Sequence, residues 1–276
     1  MNGIQLQIAE VWNVEQEILD VIHQICDKHG LKYSLAYGTL LGAVRHGGFI
    51  PWDDDIDLMM PRDEYEKFVD IWERETPDGY ILVNGDTNVD YNSNFLKIVK
   101  DHTTFLQHEE DRTKSFHKGI FVDIFPCDRL APSKVGQVFQ YCACAVNLLF
   151  SRGYTSGTGG VIGLIERILL CVPRKYHRKL RAWAQKCISK WNKSLNAPFI
   201  SPCTIDECRK HYPHDMFNKK NTLVFNGKQY FGVSDPDAVL KISYGDYMQL
   251  PPVEERVWKH HPILIDFEQN YEELSS

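Results

Sequence analysis

Apolar and polar positions alternate in two different ways along the chain, and the change comes near residue 130. Before that point, stretches with helical spacing of apolar residues are separated by short runs with strand character. The first stretch is the clearest, because its apolar residues recur on one helical face and His29-Gly30 follows as a stop signal. The elements predicted up to residue 125 are a helix over 10–29, a strand over 31–37, a helix over 39–45, a strand over 56–60, a helix over 63–75, two or three strands within 79–106 and a strand over 119–125.

The middle of the chain changes to longer apolar and basic stretches with helical spacing. The elements predicted after residue 130 are helices over 135–150, 161–172 and 174–191, an irregular stretch over 196–222, a hairpin over 223–232 that turns at Asn226-Gly227, a helix over 236–243 and a loop over 244–252. We therefore expect three segments, which are a mixed α/β segment over 1–130, a helical subdomain over 131–222 and a C-terminal segment over 223–276.

Composition narrows the class of protein. The 276 residues are 43% hydrophobic and 25% charged, which is typical of a globular protein with one large or two small domains. The net charge of -6 argues against nonspecific binding of nucleic acid, which needs a basic surface. Residues 1–22 contain four acids and no apolar core, so we expect no secretory signal, and no apolar stretch predicts a transmembrane helix. The eight cysteines are then expected to be reduced thiols in the cytosol.

Three aspartates, Asp53, Asp55 and Asp57, stand at alternate positions beside the apolar run of residues 58–60. If the segment is a strand, these carboxylates share one face, and Asp54 and Ile56 take the other. Like charges on one face repel each other, and the usual remedies are a raised pKa or a bound cation. A hard divalent cation such as magnesium takes oxygen ligands, which include phosphate oxygens. The spacing therefore indicates phosphoryl chemistry.

Two further features support this interpretation. Gly38-Thr39 opens a predicted helix, whose free N–H groups and positive dipole end favour a phosphate. Asp123 is a lone acid in an apolar strand, which is costly unless the carboxylate is paired or ligates a metal. Both interpretations of Asp123, a metal ligand and a buried partner of Arg or Lys, remain open at this point.

The three features in this order resemble the nucleotidyltransferase superfamily of the polymerase-β type. The segments YGTLLGAVRHGGFIPWDDDIDLMMPR, FVDIFPCD and YGDYMQLPP resemble the LicD family more closely, over roughly residues 15–130 and 225–262. Members of that family transfer phosphocholine from CDP-choline to glycans, and fukutin-type relatives transfer ribitol phosphate from CDP-ribitol. The resemblance implies an α+β fold, in which a nucleotidyltransferase-like mixed sheet is flanked by helices. The catalytic core would be residues 1–130, and residues 223–276 would return to it with the YGDYM motif.

The resemblance implies roles for the acids. Asp55, Asp57 and Asp123 would hold one or two magnesium ions, with manganese as an alternative, and would form the catalytic group. Asp123 would also lie where a general base could take the proton of the acceptor hydroxyl. Asp53 is either a further metal ligand or a cap of the preceding turn, and Asp54 is expected to be structural.

Phosphate contacts are expected from Gly38, Thr39, Arg45, His46 and Lys97. The Arg45 guanidinium could clamp a diphosphate in a bidentate manner, or it could form a salt bridge with the acidic cluster. Lys97 is flanked by apolar strand residues, so its side chain could point inward toward the phosphates.

Aromatic residues near these motifs are candidates for binding a quaternary ammonium group by cation–π attraction. They are Tyr37 and Trp52 beside the aspartates, and Tyr244 and Tyr247 in the late motif, which also contains Asp246. The alternative is that these rings belong to the core. We assign Trp52, Tyr244, Asp246 and Tyr247 to the substrate site.

Two other features each have two interpretations. Cys203, Cys208, His211 and His214 have the residue types of a zinc site but an uncommon spacing, and chance placement in a polar loop is the alternative. Residues 161–183 join an apolar helix to a basic cluster, which predicts either peripheral contact with anionic lipid or a subdomain helix with a solvated basic face.

The function expected from these observations is metal-dependent transfer of phosphocholine from CDP-choline to a hydroxyl of a cell-surface glycan, such as a teichoic acid, a lipopolysaccharide or a lipid-linked precursor. The alternatives are transfer of ribitol phosphate or another polyol phosphate, transfer of the nucleotide itself, and a noncatalytic binding module. The intact acids argue against the last. The expected location is the cytosol, with contact at the inner face of the membrane.

Overall fold

The computed structural model describes residues 3–85, 87–88, 90–157, 159–219, 221–258 and 260–274. Its helices are α1 Gly3–His29, α2 Tyr37–His46, α3 Arg62–Glu75, α4 Lys134–Arg152, α5 Gly160–Leu170, α6 His177–Ile188, α7 Pro236–Tyr244 and α8 Tyr271–Leu274. Its strands are β1 Ser34–Leu35, β2 Ile56–Pro61, β3 Tyr80–Val83, β4 Leu96–Lys100, β5 Thr104–Leu106, β6 Phe121–Arg129, β7 Phe199–Pro202, β8 Tyr212–Pro213, β9 Asn221–Phe225, β10 Lys228–Gly232 and β11 Leu264–Asp266. Single 3-10 turns lie at Glu109–Thr113, Arg174–Tyr176, Ser189–Trp191, His214–Phe217 and Val253–Glu255.

The predicted fold class is confirmed, since a mixed sheet of several strands is flanked by helices. Several predicted elements were wrong in extent. Helix α1 begins at Gly3 instead of residue 10, and β6 continues to Arg129 instead of ending at residue 125. The strand expected over 31–37 is reduced to β1, because Tyr37 already begins α2. The stretch expected to be irregular over 196–222 contains β7 and β8, which are too short to show a period. The helix expected over 174–191 is α6 with a 3-10 turn at each end.

The chain divides into two compact units. The first consists of Met1–Tyr91, Phe95–Phe125 and Asp215–Ser276, and its sheet has the strand order β1-β2-β6-β4-β3. β2 is buried along almost its whole length, which explains why its sequence is an apolar run rather than an alternating one. Helix α1 closes this core with an apolar face on which Ile18, Leu19 and Ile22 are fully buried. The unit therefore holds β2 rigidly beside the centre of its sheet.

The second unit consists of Asn92–Asn94 and Pro126–His214, and it contains helices α4, α5 and α6. Its apolar core includes Leu130, Ala143 and Ile188. Gln140 crosses this core, since its side-chain nitrogen donates to the Ile188 carbonyl at 2.8 Å and its oxygen accepts from the Ala131 N–H at 3.0 Å. The division into three segments over 1–130, 131–222 and 223–276 stays a prediction.

Gly42 gives a test of how α2 is fixed in the first unit. A Cβ atom at this position would overlap the carbonyl oxygen of Gly48, which belongs to the backbone of the turn that follows α2. Gly42→Ala should therefore lower the free energy of unfolding by about 1–3 kcal/mol, measured by chemical denaturation. Val44→Ala, on the exposed side of the same helix, is the matched control and should change it by about 0.5 kcal/mol or less. Equal stability of both variants would show that the turn can move freely.

Candidate active site

The aspartate segment runs into the central sheet at β2. Its Asp57 is the second residue of the strand, and the Asp57 N–H donates to Thr39 Oγ1 at 2.8 Å. The Asp57 carbonyl accepts from the Ala36 N–H at 2.9 Å. Thr39 is buried in the first turn of α2. The hydroxyl that we assigned to a phosphate thus fastens the backbone of an aspartate to the start of the helix.

Of the three aspartates predicted to share a strand face, only Asp57 lies on β2, because the strand begins at Ile56. Asp55 precedes the strand, and so does Asp53. The Asp53 carboxylate lies against the first turn of α2, where a Cβ atom on Gly38 would clash with Asp53 Oδ2. The Asp53 carbonyl accepts from Trp12 Nε1 at 2.9 Å. An anion therefore does lie at the start of α2, as the Gly-Thr pair predicted, but it is a carboxylate of the chain itself. Only glycine at position 38 permits this approach.

Asp123 lies on β6 directly opposite Lys97 on β4. Lys97 Nζ is 2.8 Å from Asp123 Oδ1, and it also lies 3.0 Å from the centroid of the Phe121 ring. Phe121 and Asp123 are two residues apart on one strand, so both side chains project from the same face. Lys97 therefore points toward Asp123, and the phosphate contact expected from it stays a prediction. The ion pair with a lysine, which was the alternative interpretation of Asp123, is present as well.

His260 is a site residue that the sequence analysis missed. Its Nδ1 lies 3.0 Å from Asp54 Oδ1, and its backbone N–H donates to Asp54 Oδ2 at 3.3 Å. Its Nε2 lies 3.7 Å from Asp55 Oδ2. Asp54, expected to be structural, is only 1% exposed and holds this histidine. No spacing motif points to His260, because it reaches the aspartates from 206 residues further along the chain.

Glu15, on α1, is a second buried acid that the sequence analysis did not identify. It is 2% exposed, and its Oε2 has no hydrogen-bond partner among the described residues. Burial raises the pKa of its carboxyl well above the usual range, and the charges of the four aspartates at 53, 54, 55 and 57 raise it further. No motif marks Glu15 in the sequence, where it is one of the acids between the apolar positions of the first helix.

The electrostatics of the site follow from this crowding. Burial raises the pKa of Asp55 to about 6, against the opposing effect of His260, and Asp123 adds to the rise. Burial and then the charge of Asp55 raise the pKa of Asp57, and burial raises that of Asp123 despite Lys97. Burial lowers the pKa of His260, but its bond to Asp54 and the charge of Asp55 outweigh that effect, so the net shift is upward. The carboxylates hold more negative charge than these two cations balance.

The donor set fits a divalent cation. Ligand atoms of Asp54, Asp55 and His260 lie within 4.8 Å of one another, which is close enough for one ion to contact all three. Oxygen ligands suit magnesium and manganese, and an imidazole nitrogen favours manganese over magnesium. Metal binding by Asp53, Asp57 and Asp123 stays a prediction.

Arg45 joins the end of α2 to the late motif. Its Nη1 donates to the Tyr247 carbonyl at 2.7 Å. This hydrogen bond takes the place of the salt bridge to the acidic cluster that was the alternative prediction for Arg45. Burial and the neighbouring Arg256 lower the pKa of Arg45, against the opposing effect of Tyr244. Burial and Arg45 also lower that of His46. Arg256 is thus a second cation at this place, which the sequence analysis did not identify.

The aromatic candidates differ in the exposure and in the contacts of their rings. The Arg256 guanidinium carbon lies 5.3 Å from the centroid of the Trp52 ring, and His46 meets the same ring edge-on. Tyr247 is largely buried and its hydroxyl donates to Asp237 at 2.9 Å. Tyr244 is 44% exposed. Of these three rings, Tyr244 therefore has the most accessible surface for a ligand.

Asp246 and Tyr37 are the two remaining candidates. Asp246 is exposed in the loop after α7, and its backbone carbonyl accepts from the Gln249 N–H at 3.2 Å. The Tyr37 ring packs edge-on against Phe125 at 5.2 Å, which supports a packing role. The assignment of Asp246 to the substrate site stays a prediction, as does the candidacy of Tyr37 for binding a quaternary ammonium group.

The residues Cys203, Cys208, His211 and His214 do not form a metal site among the described residues. The two cysteines are buried in the apolar core of the second unit beside Cys144. His211 instead stacks on the Phe199 ring at 5.0 Å. Apolar packing of the thiols and stacking of the imidazole explain why the four side chains do not converge.

Comparison with known proteins agrees with this geometry. Residues 30–137 match the LicD family model, described as the LicD/FKTN/FKRP nucleotidyltransferase domain. The chain is 31% identical over 274 residues to the lipopolysaccharide cholinephosphotransferase LicD of Haemophilus influenzae, which covers 93% of this chain and 97% of that protein. A stretch of 34 residues is 53% identical to the ribitol 5-phosphate transferase FKRP of Homo sapiens and of Mus musculus, which is 12% of this chain and 7% of each relative.

The matched region contains the aspartate segment, Lys97 and Asp123, and the similarity to the Haemophilus protein extends over nearly all of both chains. The chain therefore belongs to the LicD family.

Proposed function

We propose that the protein transfers a phospho-alcohol, with phosphocholine as the first candidate, from a CDP-alcohol to a hydroxyl of a cell-surface glycan or its lipid-linked precursor. The observation that carries the proposal is the similarity of almost the whole chain to a lipopolysaccharide cholinephosphotransferase. The cluster of buried carboxylates at β2 and β6 supports it, because such a cluster suits a metal-bound diphosphate. Teichoic acids and lipopolysaccharides are the classes of acceptor that fit the proposal.

The metal would be held by Asp55, Asp57 and Asp123, and His260 offers a further ligand. A bound magnesium or manganese ion would neutralise the diphosphate and stabilise the leaving CMP. Asp54 would orient His260 from behind, as a carboxylate does in many metal sites that contain histidine. Lys97 would hold the Asp123 carboxylate in place and add positive charge beside the phosphates.

The reaction is a displacement at the phosphorus that carries the alcohol. The acceptor oxygen bonds to that phosphorus, and the bond to the bridging oxygen of the diphosphate breaks. CMP leaves with the bridging oxygen, and the product is a phosphodiester. Asp123 takes the proton of the acceptor hydroxyl. Arg45 and Arg256 bind phosphate oxygens or the sugar of the donor.

Transfer of the nucleotide itself is the second candidate function, because the matched family model is described as a nucleotidyltransferase domain. The two reactions release different products. Incubation with magnesium and a panel of CDP-choline, CDP-ribitol and other CDP-alcohols should release CMP. Release of pyrophosphate from a nucleoside triphosphate, with no CMP from any CDP-alcohol, would support the second candidate instead.

The metal ligands can be tested by removing charge. Asp55→Asn and Asp57→Asn should abolish CMP release, as should EDTA in a reversible manner, because the cation loses its ligands. Both variants should also lose the rise in melting temperature that magnesium gives the wild type. Full activity in metal-free buffer, or an unchanged response of the melting temperature to magnesium, would contradict the proposed site.

The raised pKa of Asp55 predicts that the stability of the metal-free protein depends on pH. The pKa of Asp55 is raised to about 6 in the fold, so the folded state binds the proton more tightly than the unfolded chain does. Wild-type stability should therefore fall as the pH rises from about 4 to about 6, and Asp55→Asn should lose less over this range, although Asp57, Asp123 and Glu15 keep their raised pKa values. The variant should be more stable above that pH by up to about 3 kcal/mol, measured by urea denaturation across the pH range. A wild type that gains stability over this range would refute the assignment.

His260 and Asp54 are tested by metal affinity. His260→Gln removes the imidazole nitrogen, and Asp54→Asn removes the carboxylate that orients it, so each should weaken manganese binding by about 10- to 100-fold in calorimetric titration. The loss should be larger for manganese than for magnesium, because manganese accepts nitrogen ligands more readily. His261→Asn is the matched control, since His261 is exposed and has a positive φ that asparagine tolerates. Equal affinities in all three variants would exclude His260 from the ligand set.

The carried alcohol is tested at Tyr244. A trimethylammonium group needs an aromatic face, and loss of one cation–π contact costs about 0.5–2 kcal/mol. Tyr244→Leu should therefore weaken CDP-choline by about 2- to 30-fold while leaving CDP-ribitol nearly unchanged. Tyr244→Phe keeps the ring and should keep the preference. Good use of CDP-ribitol with no use of CDP-choline by the wild type would show that the carried group is a polyol.

A further inference from the structure

Helix α5 turns its apolar residues outward. Five of its eleven residues are apolar and at least half exposed, which are Val161 at 73%, Ile162 at 60%, Leu164 at 58%, Ile165 at 50% and Ile168 at 61%. We call these five residues the α5 surface. A helix on a globular protein normally buries its apolar stripe and exposes its polar one. Helix α5 departs from this rule, because these apolar residues are exposed along with Arg167 and the acid Glu166 is less exposed than they are.

The polar side of α5 explains this orientation. Glu166 faces the protein, where its Oε2 accepts from the Ser156 N–H at 2.8 Å and its Oε1 lies 3.4 Å from Arg152 Nη2. The helix residue that is fully buried is Gly163, three positions before Glu166 and on the same side. The only acid of the helix is therefore tied inward, and the apolar side chains are left in contact with solvent.

The chain that follows the α5 surface is strongly basic. Residues 160–188 contain seven lysines and arginines against the single acid Glu166, although the whole chain has a net charge of -6. Arg174, Lys175, Arg178 and Lys179 are exposed. Trp183, four residues after Lys179 on α6, is 50% exposed. The segment thus combines exposed apolar, aromatic and basic side chains within one unit.

This combination favours a lipid bilayer over a protein as the occupant. Protein interfaces are depleted in lysine, whereas helices at a membrane surface have an apolar face, an aromatic residue and many lysines and arginines. Basic residues are attracted to anionic headgroups. Within the described ranges, no helix is long and apolar enough to cross a membrane, so α5 could only lie in the interface.

We propose that the α5 surface and the exposed basic residues at 174, 175, 178 and 179 dock the protein on a bilayer that contains anionic phospholipid. The apolar side chains enter the boundary between headgroups and acyl chains, and the cations contact lipid phosphates. The exposed apolar side chains match the acyl chains of a bilayer, and the exposed cations match its anionic headgroups. A solvated basic face would explain only the cations, and an ordinary core helix would not leave its apolar side chains exposed. Docking would bring the enzyme to a lipid-linked acceptor, but the argument rests on the second unit alone and does not require the proposed function.

The test is sedimentation of the full chain with vesicles. Vesicles of phosphatidylcholine with about one third phosphatidylglycerol should bind the wild type, and pure phosphatidylcholine should bind it much more weakly. The double variant Ile165→Ser with Ile168→Ser should weaken binding by roughly tenfold or more, because apolar burial is lost. Arg174→Gln with Lys175→Gln should weaken it by roughly fivefold for each charge and make it less sensitive to salt.

Matched controls lie in the same unit. Leu195→Ser removes an apolar residue that is 96% exposed but far along the chain from α5, and Lys134→Gln removes an exposed charge outside the segment. Neither control should change binding. The exposed positions of all variants make folding defects unexpected, and melting temperatures check this.

Three outcomes would overturn the proposal. They are wild type that does not bind the anionic vesicles, α5 variants that bind as well as the wild type, and a wild type that forms a dimer through the α5 surface in preference to binding lipid. Failure here is distinct from failure of the proposed function, because CMP release with a water-soluble acceptor needs no vesicle. That activity should be the same in the α5 variants as in the wild type.

Discussion

Repulsion among carboxylates is the constraint on which the rest of the first unit depends. Four aspartates in five consecutive positions, together with Asp123 and Glu15, are brought together in a place that water barely reaches. Such a group is stable only if the backbone holds it and cations oppose it. The backbone is held by hydrogen bonds of Asp57 to Thr39 and Ala36. Lys97 and His260 provide part of the opposing positive charge.

The parts of this site that were predicted are those whose cause is local. Asp55 and Asp57 stand at alternate positions, and Asp123 interrupts an apolar strand, so each is visible within a few residues. Lys97 was also predicted to point inward, but its place opposite Asp123 depends on strand register, which no short pattern specifies. His260 could not be predicted, because its contact with Asp54 depends on the path of the chain after the late motif. Asp53 was misplaced because the alternation of a strand was extended beyond the point where β2 begins.

The fold shows the same division. Long helices with a clear period, such as α1 and α3, and the hairpin at Asn226-Gly227 agree with their predictions, because period and turn chemistry are local properties. The two-residue strands β1 and β8 carry no period at all. Helix α5 shows a different limit: its apolar residues predicted a helix correctly, but the sequence did not say which side faces the protein. The contact of Glu166 with Ser156 and Arg152 decides that, and it depends on tertiary structure.

Lys97 and His260, the two cations of the site, are held in different ways. His260 links the site to the C-terminal segment, whereas Lys97 belongs to the sheet. Lys97 is fixed by its own strand and by the Phe121 ring, so its position needs nothing beyond the sheet. His260 is held by side-chain and backbone contacts with Asp54, and it also lies 3.7 Å from Asp55 and edge-on to the Phe121 ring. Any ligand that binds Asp55 and His260 together must therefore also favour the docked position of the segment around His260. Because such coupling is reciprocal, the segment in turn strengthens binding of that ligand by the same free energy. The segment after the YGDYM motif thus brings His260 to the carboxylate cluster, although His260 itself lies outside the quoted motifs.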